Sequence, residues 1–192
     1  MNNLHKVFIL CNLLFSVYNC SSVKNNTIIH LKETSKKVII KCSLEDNIIY
    51  EIKIPSKLEI KNQSLLSLSF IMINYKYKDS LSNWANRNIE LYKTNGENIE
   101  RISNNKKKTI PSNESLNGLF YTRHFVDSTK VIQQLFEPYV EQMLKKNKDT
   151  LHIGTVKEFK QKHKELLNRL TKNDSLSIQF LDGKKVTVPV EW

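Results

Sequence analysis

Residues 36–42 and 48–54 of this 192-residue chain alternate apolar and polar side chains, and this pattern constrains the fold most strongly. In the first segment Val38, Ile40 and Cys42 share one face, and lysines lie on the other. In the second, isoleucines and Tyr50 share a face opposite Glu51 and Lys53. Because successive side chains of a strand point to opposite faces, the two segments predict an antiparallel hairpin with one face on a core and one in water. Pro55 is expected to end its second strand.

The longest strand candidate, residues 65–78, changes its apolar face partway along. Leu68 and Phe70 belong to one face, whereas Ile73 and Tyr75 dominate the other. A one-residue change of phase is what a β-bulge produces, so we predict a bulge near residues 70–72. A central strand buried on both faces is the alternative.

Three further segments extend the predicted sheet. Residues 28–32 and 119–126 are typical of strands. Asn95-Gly96 predicts a tight hairpin turn, and the two-residue register places Glu90 opposite Arg101. Residues 175–190 predict a closing hairpin around Asp182-Gly183. Its apolar sets align best with Phe180 opposite Val186, which requires a three-residue or bulged connection.

Helical signals are confined to the C-terminal half of the chain. Ser128 is expected to open a helix with a broad apolar stripe, and Pro138 should kink or split that helix near Glu137. Thr155 and Glu158 form a capping box that starts a second helix. The predicted fold class is therefore α+β: a mostly antiparallel β-sheet with two C-terminal helices packed on one face and a closing C-terminal β-hairpin.

The N-terminus carries the features of an export signal. Lys6 gives a positive start, residues 7–17 form a short apolar run, and small or polar residues follow as far as Ser22. This order is typical of secretory signal peptides. The apolar run falls short of the roughly 20 residues of a spanning helix, so we do not expect a permanent transmembrane anchor.

The residues before Cys20 indicate the kind of cleavage. The stretch Val17-Tyr18-Asn19-Cys20 resembles the lipobox of bacterial lipoproteins, whose cysteine becomes the lipidated first residue. The resemblance implies a signal peptide over 1–19 and a tether over 20–27. The resemblance also implies a membrane anchor, an acyl chain such as palmitate on Cys20. The remaining residues, 28–192, are expected to form a single α+β domain. Cleavage after Ser22 is the alternative and would release a soluble secreted protein.

Positive charge is abundant, with a formal net charge of +11. It suggests an acidic protein or an anionic lipid as partner, although the abundance of Lys, Asn and Ile is also what AT-rich codons produce. Nucleic acid is not expected, because Arg and aromatic residues are not interleaved on one face. Lys106, Lys107 and Lys108 stand in a row within residues 103–117, which we expect to form a solvated loop. A lipid-facing basic finger is the alternative.

The densest polar cluster is the stretch from Arg123 to Ser128, at a strand end that leads into a helix. His124, Asp127 and Ser128 supply the residue types of a hydrolase triad, and Arg123 with the helix start could hold an anion. Three triad members within five positions rarely converge on one substrate, so capping of the helix by Asp127 or Ser128 is the simpler interpretation.

No motif predicts a metal or a cofactor. The histidines show no metal-ligand spacing, and the four glycines are isolated, so no glycine-rich phosphate loop is present. Cys42 is expected to be a buried structural thiol. His163 lies in the apolar stripe of the second helix and is expected to be a core residue.

Two main function classes follow, and a structural lipoprotein with no small ligand is a third possibility. The first is a non-catalytic binding or accessory module of the cell envelope, for example an immunity or inhibitor protein. An exposed aromatic or acidic patch on the sheet would support it. The second is an exported hydrolase that uses His124 and Asp127, joined by His152 or a distant residue. This hydrolase requires a concave pocket that holds His124 and Asp127 within hydrogen-bond reach of each other.

Overall fold

The structure, a computed structural model, describes residues 27–78, 87–95 and 98–192. The predicted signal peptide and Cys20 lie outside the described residues. The strands are β1 (Thr27–Lys32), β2 (Lys37–Ser43), β3 (Ile48–Asn62), β4 (Leu68–Lys76), β5 (Arg87–Asn88), β6 (Leu91–Asn95), β7 (Asn98–Ile102), β8 (Lys108–Ile110), β9 (Ser115–Phe125), β10 (Thr150–Thr155), β11 (Ser175–Phe180) and β12 (Lys185–Pro189). The helices are α1 (Lys130–Gln134), α2 (Glu137–Lys146), α3 (Val156–Lys162) and α4 (Lys164–Thr171).

The strands form two antiparallel sheets. The large sheet has the order β10-β2-β3-β9-β6-β7, and β1 pairs with the second half of β3. The small sheet has the order β12-β11-β4-β5, and β8 also pairs with β4. The predicted α+β class, with C-terminal helices and a C-terminal hairpin, is confirmed.

Both hydrophobic cores lie against the same face of the large sheet. At one end, buried residues of β2 and β3 pack with the helices, among them Val38, Ile52, Met143, Phe159 and Leu167. At the other end, the second half of β3 packs with the small sheet, through residues that include Leu58, Ile60, Phe70, Tyr75 and Ile178. Trp192 packs against both cores. The opposite face of the large sheet is therefore not covered by either the helices or the small sheet.

The prediction that Pro55 ends its strand is wrong, because β3 continues to Asn62. Pro55 lies between the stretch of β3 that pairs with β2 and the stretch that pairs with β1. At this gap neither strand needs a backbone donor from β3, so the missing N–H of proline is tolerated. On the other edge Pro55 stays in register, opposite Tyr121 of β9.

Two irregularities set which side chains face the core. In β3 the register shifts so that Ile49 pairs with Cys42 and Glu51 with Lys41, which leaves Tyr50 as an exposed extra residue. Tyr50 was expected to face inward, and this bulge is the reason that it does not. The bulge predicted near residues 70–72 is confirmed, because β4 shifts register against β11 between its pairs at Phe70 and Ile73.

The hairpins are confirmed, with changes of register. Arg101 pairs with Tyr92 rather than with the predicted Glu90. Gly96 of the predicted Asn95-Gly96 turn lies outside the described residues. The closing hairpin has the predicted three-residue connection. However, Ile178 rather than Phe180 pairs with Val186. Gly183 closes this turn with a φ of +91°, a conformation that favours glycine.

The helices are shorter than predicted. The first helix splits into α1 and α2 just before Glu137, as Pro138 indicated, and the capping box of Thr155 and Glu158 is present at the start of α3. The second helix is interrupted at His163, the residue between α3 and α4. None of the helices in the described ranges is long and apolar enough to cross a membrane.

The solvated loop expected over residues 103–117 is wrong in part. Lys108–Ile110 form β8 on the edge of β4, and β9 already begins at Ser115. The sequence also gave no sign of β10, an edge strand that pairs with β2. Both missed strands are short or carry few apolar residues, so the alternation that marks a strand is weak in them.

Candidate binding site

The uncovered face of the large sheet carries a group of charged side chains in which cations outnumber carboxylates. Strand alternation places eight cations here against three carboxylates, a surplus of five positive charges in the described part of the sheet. The cations are Lys32, Lys37, Lys41, Lys53, Lys57, Lys61, Arg101 and Arg123, and the carboxylates are Glu51, Glu59 and Glu90. We call this surface the basic face.

Glu51 organises the most compact group of these charges, the Glu51 cluster, which consists of Glu51, Lys41, Lys53 and Arg123. The carboxylate is only 1% exposed. Arg123 donates hydrogen bonds to its Oε2 atom from Nε, at 2.9 Å, and from Nη2. The ammonium groups of Lys41 and Lys53 lie 3.7 and 3.9 Å from its Oε1 atom. Register explains the grouping, because Lys41 lies opposite Glu51, and Arg123 lies opposite Lys53.

The Glu51 cluster leaves positive charge unbalanced at the surface. Three cations share one buried carboxylate, so two positive charges remain without an acidic partner inside the cluster. Burial lowers the pKa of Lys53, and repulsion from Lys41 lowers it further, while Glu51 acts in the opposite direction. A bound anion would relieve this repulsion, and the carboxylate already holds the cations in position, which reduces the ordering cost of binding.

A cleft of about 340 Å³ adjoins the Glu51 cluster and is lined by aromatic residues as well as charges. Lys53, Arg123 and Glu90 contribute charged groups, and Tyr77, Tyr92 and Tyr121 contribute rings. The Tyr92 and Tyr121 rings meet edge to face with centroids 6.4 Å apart. Burial raises the pKa of both phenols, so they stay neutral and able to donate hydrogen bonds near neutral pH.

A second cleft of similar volume, about 340 Å³, lies on the same face. Lys32, Lys57 and Lys93 line it, together with Glu59 and Leu119. Glu59 is already paired with Lys32 and Lys61. In the described ranges neither Lys57 nor Lys93 has a carboxylate within ion-pair distance. The basic face is therefore concave in two places, and cations line both.

The predicted catalytic candidates are not brought together on this face. Arg123 points to the basic face, but its neighbour His124 lies on the core face, fully buried. The His124 Nε2 atom is 2.9 Å from the Thr122 hydroxyl, and the ring packs edge-on against Tyr77. Burial lowers the pKa of His124 to about 4, partly opposed by the backbone of Leu170. The ring is therefore neutral near neutral pH and has no surface at which to meet a substrate.

The other residues of the predicted triad lie at the helix start. The expected capping of the helix by Asp127 or Ser128 is wrong, because Thr129 is the N-cap of α1 and no side chain caps this helix. The Asp127 carboxylate accepts the Thr129 N–H at 2.8 Å. Ser128 is exposed. His152 is exposed on β10, opposite Ile39. His163 is half-buried, as expected for a core residue, and contacts the rings of Phe136, Tyr139 and Phe159.

The three consecutive lysines have different environments. Lys106 and Lys107 are exposed, whereas Lys108 is 6% exposed. The Lys108 ammonium donates hydrogen bonds to the backbone carbonyls of Ile71, Ser103 and Lys106, at 2.6, 3.0 and 3.0 Å. Lys108 thus ties the β7–β8 connection to β4, and only the other two lysines are available to a partner.

No set of three or more His, Cys, Asp or Glu side chains in the described ranges is placed to hold a metal ion. Cys42 is a buried free thiol, and burial followed by the charge of Asp149 raises its pKa.

Comparison of the chain with protein-family models, curated proteins and solved structures gave no match.

Sequence reasoning missed the Glu51 cluster. Glu51 was placed correctly on the outer face of its strand but was expected to be solvated. The feature of the sequence that could have indicated the cluster is Glu51, because lysines precede and follow it in the predicted hairpin. Only the registers of β2 and β9 show that Lys41 and Arg123 converge on it.

Proposed function

We propose that the protein is an exported, lipid-anchored component of the cell envelope that acts as a non-catalytic binding module, and that its basic face binds an acidic protein surface. The observation that carries the proposal is the Glu51 cluster beside a tyrosine-lined cleft. Charged groups fixed in advance and amphipathic aromatic rings are typical of protein-binding surfaces. An immunity or inhibitor protein, which covers part of a toxin or an enzyme, is the specific form of this proposal.

The hydrolase alternative has no observation in its favour. A general base must reach the proton that it removes, and His124 is enclosed by the core. Its partner in the predicted triad, Asp127, is engaged with the backbone of Thr129.

Binding is tested with poly-L-glutamate as a defined acidic probe. We expect Lys53→Gln with Lys57→Gln to raise the dissociation constant about tenfold, since both lysines line the clefts of the basic face. The matched control, Lys130→Gln with Lys157→Gln, removes the same charge from exposed helix positions and should change affinity by less than about twofold. Equal losses in both variants would mean that net charge alone attracts the probe. Preference for phosphatidylserine vesicles over poly-L-glutamate would identify anionic lipid as the ligand instead.

Anchoring is tested by peptide mass spectrometry on protein from its native host, with Cys20→Ala as the comparison. A diacyl or triacyl adduct on Cys20, lost in the variant together with membrane partitioning, is the expected result. A free N-terminus at Val23 would mean cleavage after Ser22 and a soluble secreted protein.

A further inference from the structure

The loop between β3 and β4 exposes two leucines at its tip. Leu65 is 89% exposed and Leu66 is 78% exposed, the highest values for large hydrophobic side chains in the described ranges. Exposing two adjacent leucines to water is unfavourable, so their retention at a loop tip calls for an explanation.

Hydrogen bonds from a buried side chain fix this loop in place. The Asn62 amide, on a residue that is 1% exposed, donates to the carbonyls of Leu66, Ile110 and Pro111 at 2.8, 3.1 and 2.9 Å. Its Oδ1 atom accepts the N–H and the hydroxyl of Ser64. Because the backbone is held on both sides of the tip, the two leucines are presented outward by a defined structure.

A third exposed leucine lies at the same end of the molecule. Leu181, 56% exposed, begins the three-residue turn between β11 and β12. Its N–H donates to the Ser69 carbonyl at 2.8 Å, which places this turn beside the first residues of β4. Leu65, Leu66 and Leu181, the leucine tips, thus come from two neighbouring loops.

The N-terminal segment joins the molecule at the base of these loops. Thr27, the first residue of β1, pairs with Asn62, the last residue of β3. Cys20 precedes Thr27 by seven residues, and a chain of that length spans at most about 25 Å when fully extended. A lipid on Cys20 would therefore hold this end of the molecule close to the bilayer.

Ionic attraction is not the reason that this end would meet a membrane. Lys61 lies near the leucine tips but is already paired with Glu59, which leaves Lys184 and Lys185 beside Glu114 and Asp182. Any attachment here depends on apolar side chains and should be insensitive to salt.

We propose that Leu65, Leu66 and Leu181 insert into the interfacial region of the same bilayer that holds the acyl chain on Cys20. This inference rests on the proposed lipid anchor, to which the tips add a second, apolar contact that fixes the orientation of the protein. The bilayer is the occupant because the anchor lies at this end, within reach of the tips.

The test uses the processed, lipidated protein from its host, reconstituted in vesicles that contain brominated phosphatidylcholine. Leu66→Trp places a fluorescent ring at the tip, and Val131→Trp is the matched control. Val131 is 72% exposed on α1, on the helical part of the molecule. We expect brominated lipid to quench the fluorescence added by Leu66→Trp, independently of salt, and to leave that added by Val131→Trp unchanged. The proposal would be overturned if brominated lipid changed the added fluorescence of the two variants to the same extent.

Failure of the anchor is recognised separately. If mass spectrometry finds no adduct on Cys20, the soluble processed protein is floated with phosphatidylcholine vesicles. Leu65→Ser with Leu66→Ser should then weaken partitioning by about tenfold or more per leucine. Val131→Ser should have little effect. Partitioning that is unchanged by the double substitution would refute membrane insertion of the tips.

Discussion

Protonation of His124 is predicted to destabilise the fold at mildly acidic pH. The imidazole is fully buried, and its pKa falls from 6.5 to about 4. Between these two values the unfolded chain binds a proton that the folded chain does not, so the free energy of unfolding falls as the pH falls through this range. Above 6.5 neither state is protonated at this residue, and below about 4 both are, so the effect is confined to that window.

The size of the effect follows from the pKa difference. One pKa unit corresponds to about 1.36 kcal/mol, so lowering the pH from about 7.5 to about 4.5 should reduce the free energy of unfolding by about 2.5 kcal/mol through this residue alone. Carboxylates that lose their charge in the same range add to the total. The contribution of His124 must therefore be measured as a difference from a variant that cannot titrate.

The assay is urea denaturation of wild type and His124→Gln at both pH values. The glutamine amide can still reach the Thr122 hydroxyl, which lies 2.9 Å from Nε2. At about pH 7.5 we expect the variant to be less stable by about 1–3 kcal/mol, because the packing changes. At about pH 4.5 the gap should narrow or reverse, since only wild type loses the His124 contribution. Parallel pH dependences in the two proteins would refute a buried neutral histidine.

Three further substitutions test other parts of the structure by urea denaturation. Lys108→Met removes a donor to three carbonyls and should lower the free energy of unfolding by about 2–3 kcal/mol; a change near zero would contradict its structural role. A Cβ at residue 118 would collide with the Leu91 side chain, so Gly118→Ala should cost about 1–3 kcal/mol. Leu91→Ala should relieve part of that cost in the double variant, whereas purely additive effects would argue against the contact. Asn62→Ala should lower the free energy of unfolding by about 2–4 kcal/mol and make the amide hydrogens of residues 63–66 exchange faster than in wild type. Unchanged exchange rates would mean that the loop keeps its conformation without the Asn62 side chain.

The sequence predicted most strands because their alternation is a local property. The bulge in β4 was predictable for the same reason, since the apolar face visibly changes between Phe70 and Ile73. The strand end predicted at Pro55 is wrong because the cost of a missing backbone donor depends on which strand lies beside the proline. That neighbour is set by tertiary pairing and leaves no trace in the residues around the proline.

The candidate site could be predicted only in its parts. Arg123 was singled out, and the excess of lysine was evident from composition. The role of Arg123 changed because strand alternation separates it from His124 and places the two on opposite faces of the sheet. Lys108 shows the same limitation: in sequence it resembles Lys106 and Lys107, and only the pairing of β8 with β4 buries its ammonium group.

The length of β3 sets a distance between the Glu51 cluster and the leucine tips. Glu51 lies near one end of this strand, and Asn62, which holds the loop of Leu65 and Leu66, closes the other. Eleven residues at about 3.3 Å each separate them by up to about 36 Å, close to the thickness of a bilayer's hydrocarbon core. When the tips are inserted and the strand stands upright, the Glu51 cluster is out of reach of the lipid headgroups. β3 would then act as a fixed spacer between the membrane and the Glu51 cluster. A partner bound at the Glu51 cluster would have to project well above the membrane or diffuse freely in the space beside the membrane.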